Sequence, residues 1–270
     1  MAGSWDRGAL VSLTVDVLPV EPLPVVRLLV SLPQGRSWKV IGSAAGGEWL
    51  AGEGRSSGHE VAFADPWAPL GVPVSYVLTS GTGQRFEAGP VVRTYRGQHA
   101  LTDLTGRVVA DFLWEKGGGD GWARELRASF VDPWGSRLPV ASAAPVAGAG
   151  GGSLTARTVG ASTVVMRGLV EANRPLLLLH NARRCRLPGC DVPAVRTVLL
   201  TDAPESLTSR MDRAERSWAL SYRLVPRPHG FLAPVATWAD VSARWATNAD
   251  LLASGLSNLE LARGDWLVEW

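Results

Sequence analysis

Apolar side chains in this 270-residue sequence come in short alternating runs, and turn residues cut each run from the next. Val11-Ser-Leu-Thr-Val-Asp-Val17 and His59-Glu-Val-Ala-Phe63 place apolar residues at every second position. A period of two lays one face of an extended chain on a core and leaves the other in water, so each run predicts a half-buried strand. Residues 25–30, 37–41, 72–79 and 89–95 predict further strands, with Pro33-Gln-Gly35, Gly46-Gly47 and Gly52-Glu-Gly54 as the breaks between segments. The longest apolar run, 176–179, is far short of the roughly 20 residues that cross a bilayer.

About seven strands at this spacing over residues 1–97 predict a β-sandwich of fibronectin-type-III or immunoglobulin kind. Tyr76 follows Leu70 and Pro73 into a late strand, where a tyrosine-corner hydroxyl bonds upstream backbone, so a structural role is expected for it. Residues 98–230 predict a second β-rich (α+β) domain. Within it 107–114 reads as strand or short helix, 116–121 and 146–152 as glycine-rich loops, and 176–180, 195–201 and 217–225 as strands. A short helix is predicted over about 162–172, capped by Ser162 or Thr163 and ended by Asn173 and Pro175. An apolar content of 46% supplies cores for both domains. The chain is thus expected to be mainly β.

Residues 231–270 follow another rule. Thr237-Trp-Ala-Asp-Val241 is followed ten residues later by Thr247-Asn-Ala-Asp-Leu251, and then by Ser257-Asn-Leu-Glu-Leu261. A hydroxyl residue with a carboxylate three positions on is the capping-box pattern, so each unit predicts one short helical turn. Such turns are too short to persist alone in water. With Trp238, Trp245, Trp266 and Trp270 along it, this tail is expected to dock on a partner through indole anchors.

No catalytic residue can be nominated. His59, His99, His180 and His229 are scattered, no Gly-x-Ser-x-Gly elbow is present, and the run 147–152 lacks the Lys-Ser/Thr of a phosphate loop. No cofactor is expected. Cys185 and Cys190 flank the turn dipeptide Pro188-Gly189. A disulfide between them is geometrically conceivable, no metal is expected because His180 leaves the set one ligand short, and two unpaired thiols is the expectation for a reducing compartment. A net charge of +2, from 27 basic and 25 acidic residues, gives no field to draw in nucleic acid or an anionic membrane. No signal peptide is legible at the N-terminus, so the chain is expected to stay in the cytoplasm until assembly. Phe63-Ala-Asp-Pro-Trp67 recurs as Phe130-Val-Asp-Pro-Trp134, which reads as a reused strand-exit turn. Twelve tryptophans also raise a competing expectation, a carbohydrate-binding module, because sugar C–H faces stack on indole.

Three stretches carry a family resemblance. Asp65-Pro-Trp-Ala-Pro-Leu-Gly-Val-Pro-Val-Ser-Tyr76, Arg216-Ser-Trp-Ala-Leu-Ser-Tyr-Arg-Leu-Val-Pro-Arg-Pro228 and the tandem units from Thr237 resemble segments of distal-tail-type minor tail proteins of long-tailed phages infecting actinobacteria. The units at 247 and 257 carry Asn248 and Asn258 where the first carries Trp238. The resemblance implies a structural virion protein at the tail tip, in a three- or six-fold ring of its own copies. It would link the tail tube to the host-recognition apparatus, with tube, tape-measure and other tail-tip proteins as partners.

Overall fold

The computed structural model describes residues 11–114, 121–125, 128–134, 137–144, 148–185, 190–208 and 214–268, and strands predominate over helices. Seven strands come first: β1 (Ser12–Leu18), β2 (Val25–Ser31), β3 (Ser37–Ala44), β4 (Gly47–Arg55), β5 (Val61–Ala64), β6 (Pro73–Ser80) and β7 (Arg85–Val92). They form two antiparallel sheets, β1-β2-β5 and β4-β3-β6-β7. Alternate residues Val26, Leu28 and Val30 of one sheet meet Val40, Tyr76 and Leu78 of the other in a shared core. Gly52 and Gly54, expected as breaks, lie inside β4. Gly42 pairs with Trp49, and Trp38 with Gly54, across the β3–β4 ladder. A Cβ on Gly42 would come within 2.5 Å of the Trp49 ring, and one on Gly54 within 3.0 Å of the Trp38 ring. Each glycine therefore leaves the space in which the opposite indole lies across the strand.

Trp49, so held, donates its Nε1–H to Asp65 Oδ2 (2.8 Å). The Tyr76 hydroxyl donates to the same oxygen (3.0 Å), and the Trp67 backbone N–H donates to Oδ1 (3.1 Å). This corrects the tyrosine-corner expectation, since Tyr76 bonds an upstream side chain and not upstream backbone. The physical reason is that Asp65 is 1% exposed, and a buried carboxylate collects whatever donors surround it. Burial pushes its carboxyl above the usual aspartate range, and the Trp49 donor, the Arg227 charge, Tyr76 and Trp67 oppose that shift. The neighbouring Arg93 is 1% exposed and donates to the carbonyls of Pro24, Pro66 and Ala68; burial lowers its pKa to about 10.

The next elements are β8 (His99–Thr102), β9 (Val109–Trp114), β10 (Gly121–Glu125), β11 (Ala128–Val131), β12 (Val140–Ala143), β13 (Gly148–Val159), helix α1 (Ala161–Glu171), β14 (Leu176–His180), β15 (Val195–Asp202), β16 (Glu205–Leu207) and β17 (Glu215–Leu224). Eight strands run in the order β10-β13-β9-β8-β14-β15-β17-β16, and the sheet closes on itself because β17 also pairs with β13. Inside this barrel Phe112, Leu154, Trp218 and Tyr222 pack against Met166 and Leu169 of α1. Residues 148–152, expected as part of a loop, are instead the first part of β13. Cβ atoms on Gly150 and Gly151 would lie 2.0 and 2.4 Å from the carbonyl oxygens of Ala123 and Tyr222. The glycines mark close backbone approach, and Gly150 (φ 78°) sits where the β10 register shifts. Residues 116–120 and 146–147 of the expected loops lie outside the described residues.

Neither Ser162 nor Thr163 caps α1. The N-cap is Gly160 (φ 58°), without a side-chain cap bond, and Thr163 is buried with its hydroxyl 2.9 Å from that of Thr158. The reversal from β13 into the helix demands a positive φ (with ψ −124° at Gly160), which glycine adopts without strain. Asn173, just after the C-cap Ala172, also has a positive φ (44°).

β14 reads Leu-Leu-Leu-Leu-His and is buried throughout, because its two faces serve different cores. Leu176 and Leu178 face the barrel core. Leu177 and Leu179 join Leu23, Trp67 and Leu70 between barrel and sandwich. Trp67 Nε1–H also donates to Thr197 Oγ1 (3.0 Å), and the Arg227 guanidinium stacks on the Trp67 ring at 3.9 Å. Beyond Arg227 the chain returns to the sandwich, where Ala233 bridges Ala64 of β5. Among the described residues no helix is long and apolar enough to cross a membrane.

Because Trp49 is fixed by its bond to Asp65, it cannot give way to a side chain at position 42. Gly42→Ala is expected to destabilise the sandwich by about 1–3 kcal/mol, measured by denaturant unfolding. An unchanged midpoint would show that Trp49 is free to move.

Candidate functional site

All three capping boxes form. They open helices α2 (Trp238–Arg244), α3 (Asn248–Ala253) and α4 (Asn258–Arg263). Thr237 Oγ1 accepts from the Asp240 N–H (3.3 Å) while Asp240 Oδ2 accepts from the Thr237 N–H (2.8 Å). Thr247 and Asp250, and Ser257 and Glu260, repeat the exchange. Each helix has seven residues or fewer, and none of their residues is buried. Their persistence depends on being held from outside.

The body supplies that hold at three places. Arg107 Nη2 donates to Asp240 Oδ1 (2.5 Å), and Arg263 Nε to Glu60 Oε1 (2.6 Å). Arg27, on β2, grips Asp16 with Nε and Nη2 and sends Nη1 to Asp265 and the Arg263 carbonyl. Hydrogen bonding to Asp16 is the main reason that its guanidinium holds its proton more tightly than usual, with Asp265 adding to it against burial. Val235 and Leu267 pack with Leu18, Val25 and Ala64. The tail thus lies on its own chain.

The expected indole anchors divide accordingly. Trp266 is 5% exposed and donates to the Leu261 carbonyl (3.1 Å), and Trp245 is half-buried with its ring 5.0 Å from that of Trp266. Both are engaged within the chain. Trp238 is 78% exposed beside a groove of about 460 Å³ lined by Pro234, Val241 and Leu261. Trp270 lies outside the described residues.

A second apolar surface stands elsewhere, and sequence reasoning missed it. Among the described residues, strands β11 and β12 pair only with each other. On and between them Phe130, Val131, Leu138 and Val140 are 60–76% exposed and Trp134 is fully exposed. The Phe-x-Asp-Pro-Trp echo was the available signal. In the first copy Phe63, Asp65 and Trp67 are all buried; in the second, Phe130 and Trp134 stand in water.

Tyr76 is buried on Asp65. Cys185 and Cys190 are unbridged and half-buried, and their sulfurs lie with a His180 ring nitrogen in one cluster, all within 4.8 Å of one another. Against known proteins the chain finds no match among family models, curated proteins or solved structures.

Asp240 joins the first capping box to Arg107. Burial works to raise its pKa, but the bonds from Arg107 and Thr237 prevail and hold it below the ordinary 3.8. A depressed carboxylate stabilises the folded state above its unfolded pKa, and that contribution is lost as pH falls through the folded value. Acidification below about pH 3.8 is therefore expected to release α2, read as a step in tryptophan fluorescence. The Asp240→Asn variant is expected to lack the step. A step of equal size in that variant would remove Asp240 as its cause.

Proposed function

We propose that the protein is a structural component of a phage tail tip. Copies of it form a ring that links the tail tube to the host-recognition apparatus. The observation that carries this reading is the β11–β12 hairpin. A two-stranded ribbon is marginal in water on its own, and five large exposed apolar side chains on this one call for a protein surface to cover them. Its strand edges, unpaired among the described residues, can also add to a neighbour's sheet. A ring closes through heterologous contacts, in which two different patches of each copy meet on adjacent subunits. The chain carries two such patches, the hairpin and the groove beside Trp238.

The resemblance of residues 65–76, 216–228 and the tandem units to distal-tail-type proteins supports the same reading. Those stretches contain the Asp65 centre, β17 and the capped helices. In this proposal residues 11–92 are a fibronectin-type-III-like sandwich, supported by the strand orders β1-β2-β5 and β4-β3-β6-β7. The following barrel carries the hairpin, and residues 233–267 brace the whole. Trp134 also favours a second reading, host glycan binding, because an open indole face stacks on sugar C–H groups. Loss of glycan-array binding in Trp134→Ala, with assembly intact, would support that reading instead.

The double variant Phe130→Ser/Trp134→Ser changes one largely exposed and one fully exposed side chain, so its stability is expected to stay within about 1 kcal/mol of the parent. In a phage complemented with it, the protein is expected to be absent from purified particles while accumulating soluble in the lysate. Incorporation at normal copy number would overturn the assembly role of the hairpin.

A further inference from the structure

β14 delivers His180 to the rim of the barrel, and the chain then turns at once. The Cys185 N–H bonds back to the carbonyls of Asn181 (3.0 Å) and Ala182 (3.3 Å), which brings its thiol beside the strand end. Cys190 returns to the same point, its Sγ 3.4 Å from His180 Nε2. The Val192 N–H is bonded to Cys190, as backbone N–H groups are when they support a metal-bound thiolate. The ligand atoms of His180, Cys185 and Cys190 all lie within 4.8 Å of one another. Zinc bonds of ordinary length in a tetrahedron separate such atoms by about 3.5–3.8 Å, so closure onto an ion needs movements of only about 1 Å.

The imidazole is held for that task. His180 Nδ1 lies 3.2 Å from His99 Nδ1. A proton donated from His180 to His99 along that contact leaves the Nε2 lone pair facing the sulfurs, the arrangement by which a second group orients a ligating histidine. Both rings are buried in a stack: His99 lies 4.1 Å from Trp114 and 4.8 Å from His180, and His180 is within 9° of parallel to Trp114. A ring held in that stack and at one nitrogen is preorganised.

We propose that His180, Cys185 and Cys190 bind a zinc ion, with water in the fourth position. Two thiolates and one imidazole form a soft donor set that favours zinc over calcium or magnesium. Asn181, beside the first ligand, donates to the carbonyls of Tyr95 and Gly97 (both 3.0 Å), in the linker between sandwich and barrel. The ion therefore pins the loop after β14 against that linker, a structural role independent of the tail-tip reading.

The test uses the full chain, purified under reducing conditions without a metal-affinity step, and titrated with zinc against a chromophoric chelator. Stoichiometric binding is expected, together with thiolate-to-metal charge-transfer bands on cobalt substitution and protection of both thiols until chelator is added. Cys185→Ser and Cys190→Ser keep the size of half-buried side chains. Each is expected to weaken zinc binding by more than about 100-fold, beyond the loss of a merely supporting contact, and to abolish the cobalt bands. Chelator is expected to lower the melting temperature of the parent and not of the variants. The proposal is overturned if the reduced parent binds no zinc, or if the double serine variant binds it equally. A Cys185–Cys190 disulfide that persists in the protein as isolated from the reducing cytoplasm would overturn it too.

Discussion

Burying a carboxylate in a β-protein is costly, and at Asp65 the cost is offset by donors from separate parts of the fold. Trp49 arrives from β4, Tyr76 from β6 and the Trp67 amide from the turn that follows Asp65 itself. Arg227, after the last barrel strand, lowers the cost through its charge. It also caps the Trp67 ring and donates to the carbonyls of Leu50, Ala51 and Phe231. The same side chains that satisfy one anion thereby join the two sheets of the sandwich, the barrel through Trp67 and Thr197, and the start of the tail. Buried polar networks of this kind fix one arrangement among many compact ones, because any partial form leaves a donor or a charge unsatisfied.

The apolar surface divides along different lines from those the composition suggests. Tail tryptophans 245 and 266 are absorbed into the chain's own packing, and the capping boxes hold helices whose side chains remain largely in water. The hairpin holds the opposite balance, with little internal packing and much exposed hydrocarbon. Surfaces of that kind on a monomer are ordinarily sites of association. In the proposed assembly the contact surface is the β11–β12 hairpin, while the tail braces sandwich and barrel through Arg107–Asp240 and Arg27–Asp265.

What could be read from the sequence was local. The alternation of residues 11–17 and 217–225 became β1 and β17, and the hydroxyl-to-carboxylate spacing of the tail became three complete capping boxes, since both signals act over a few residues. Tyr76 was legible as a structural tyrosine whose hydroxyl bonds upstream, but not by its partner, because Asp65 reaches it through the fold. The glycines of 148–152 read as loop for want of side chains, whereas long-range pairing with β10 and β17 is what requires their absence. The His180–Cys185–Cys190 cluster was half visible: the cysteine spacing could be seen, while His99 is brought to it by the β8–β14 ladder. The hairpin was missed because alternation cannot tell an outward apolar face from an inward one.

The bridge between Ala64 and Ala233 carries a consequence for the order in which the molecule matures. β5 is an edge strand of its three-stranded sheet, and open edges invite pairing with other chains. A ribosome releases the sandwich well before the segment that covers that edge, and before Asp265 can meet Arg27. While translation continues, the first domain therefore carries an unguarded edge and an arginine that lacks one of its two carboxylates. Only a chain synthesised through residue 265 hides both. A prematurely terminated product would advertise its incompleteness at the sandwich, far from the break, which gives proteases and chaperones a means of sorting it out.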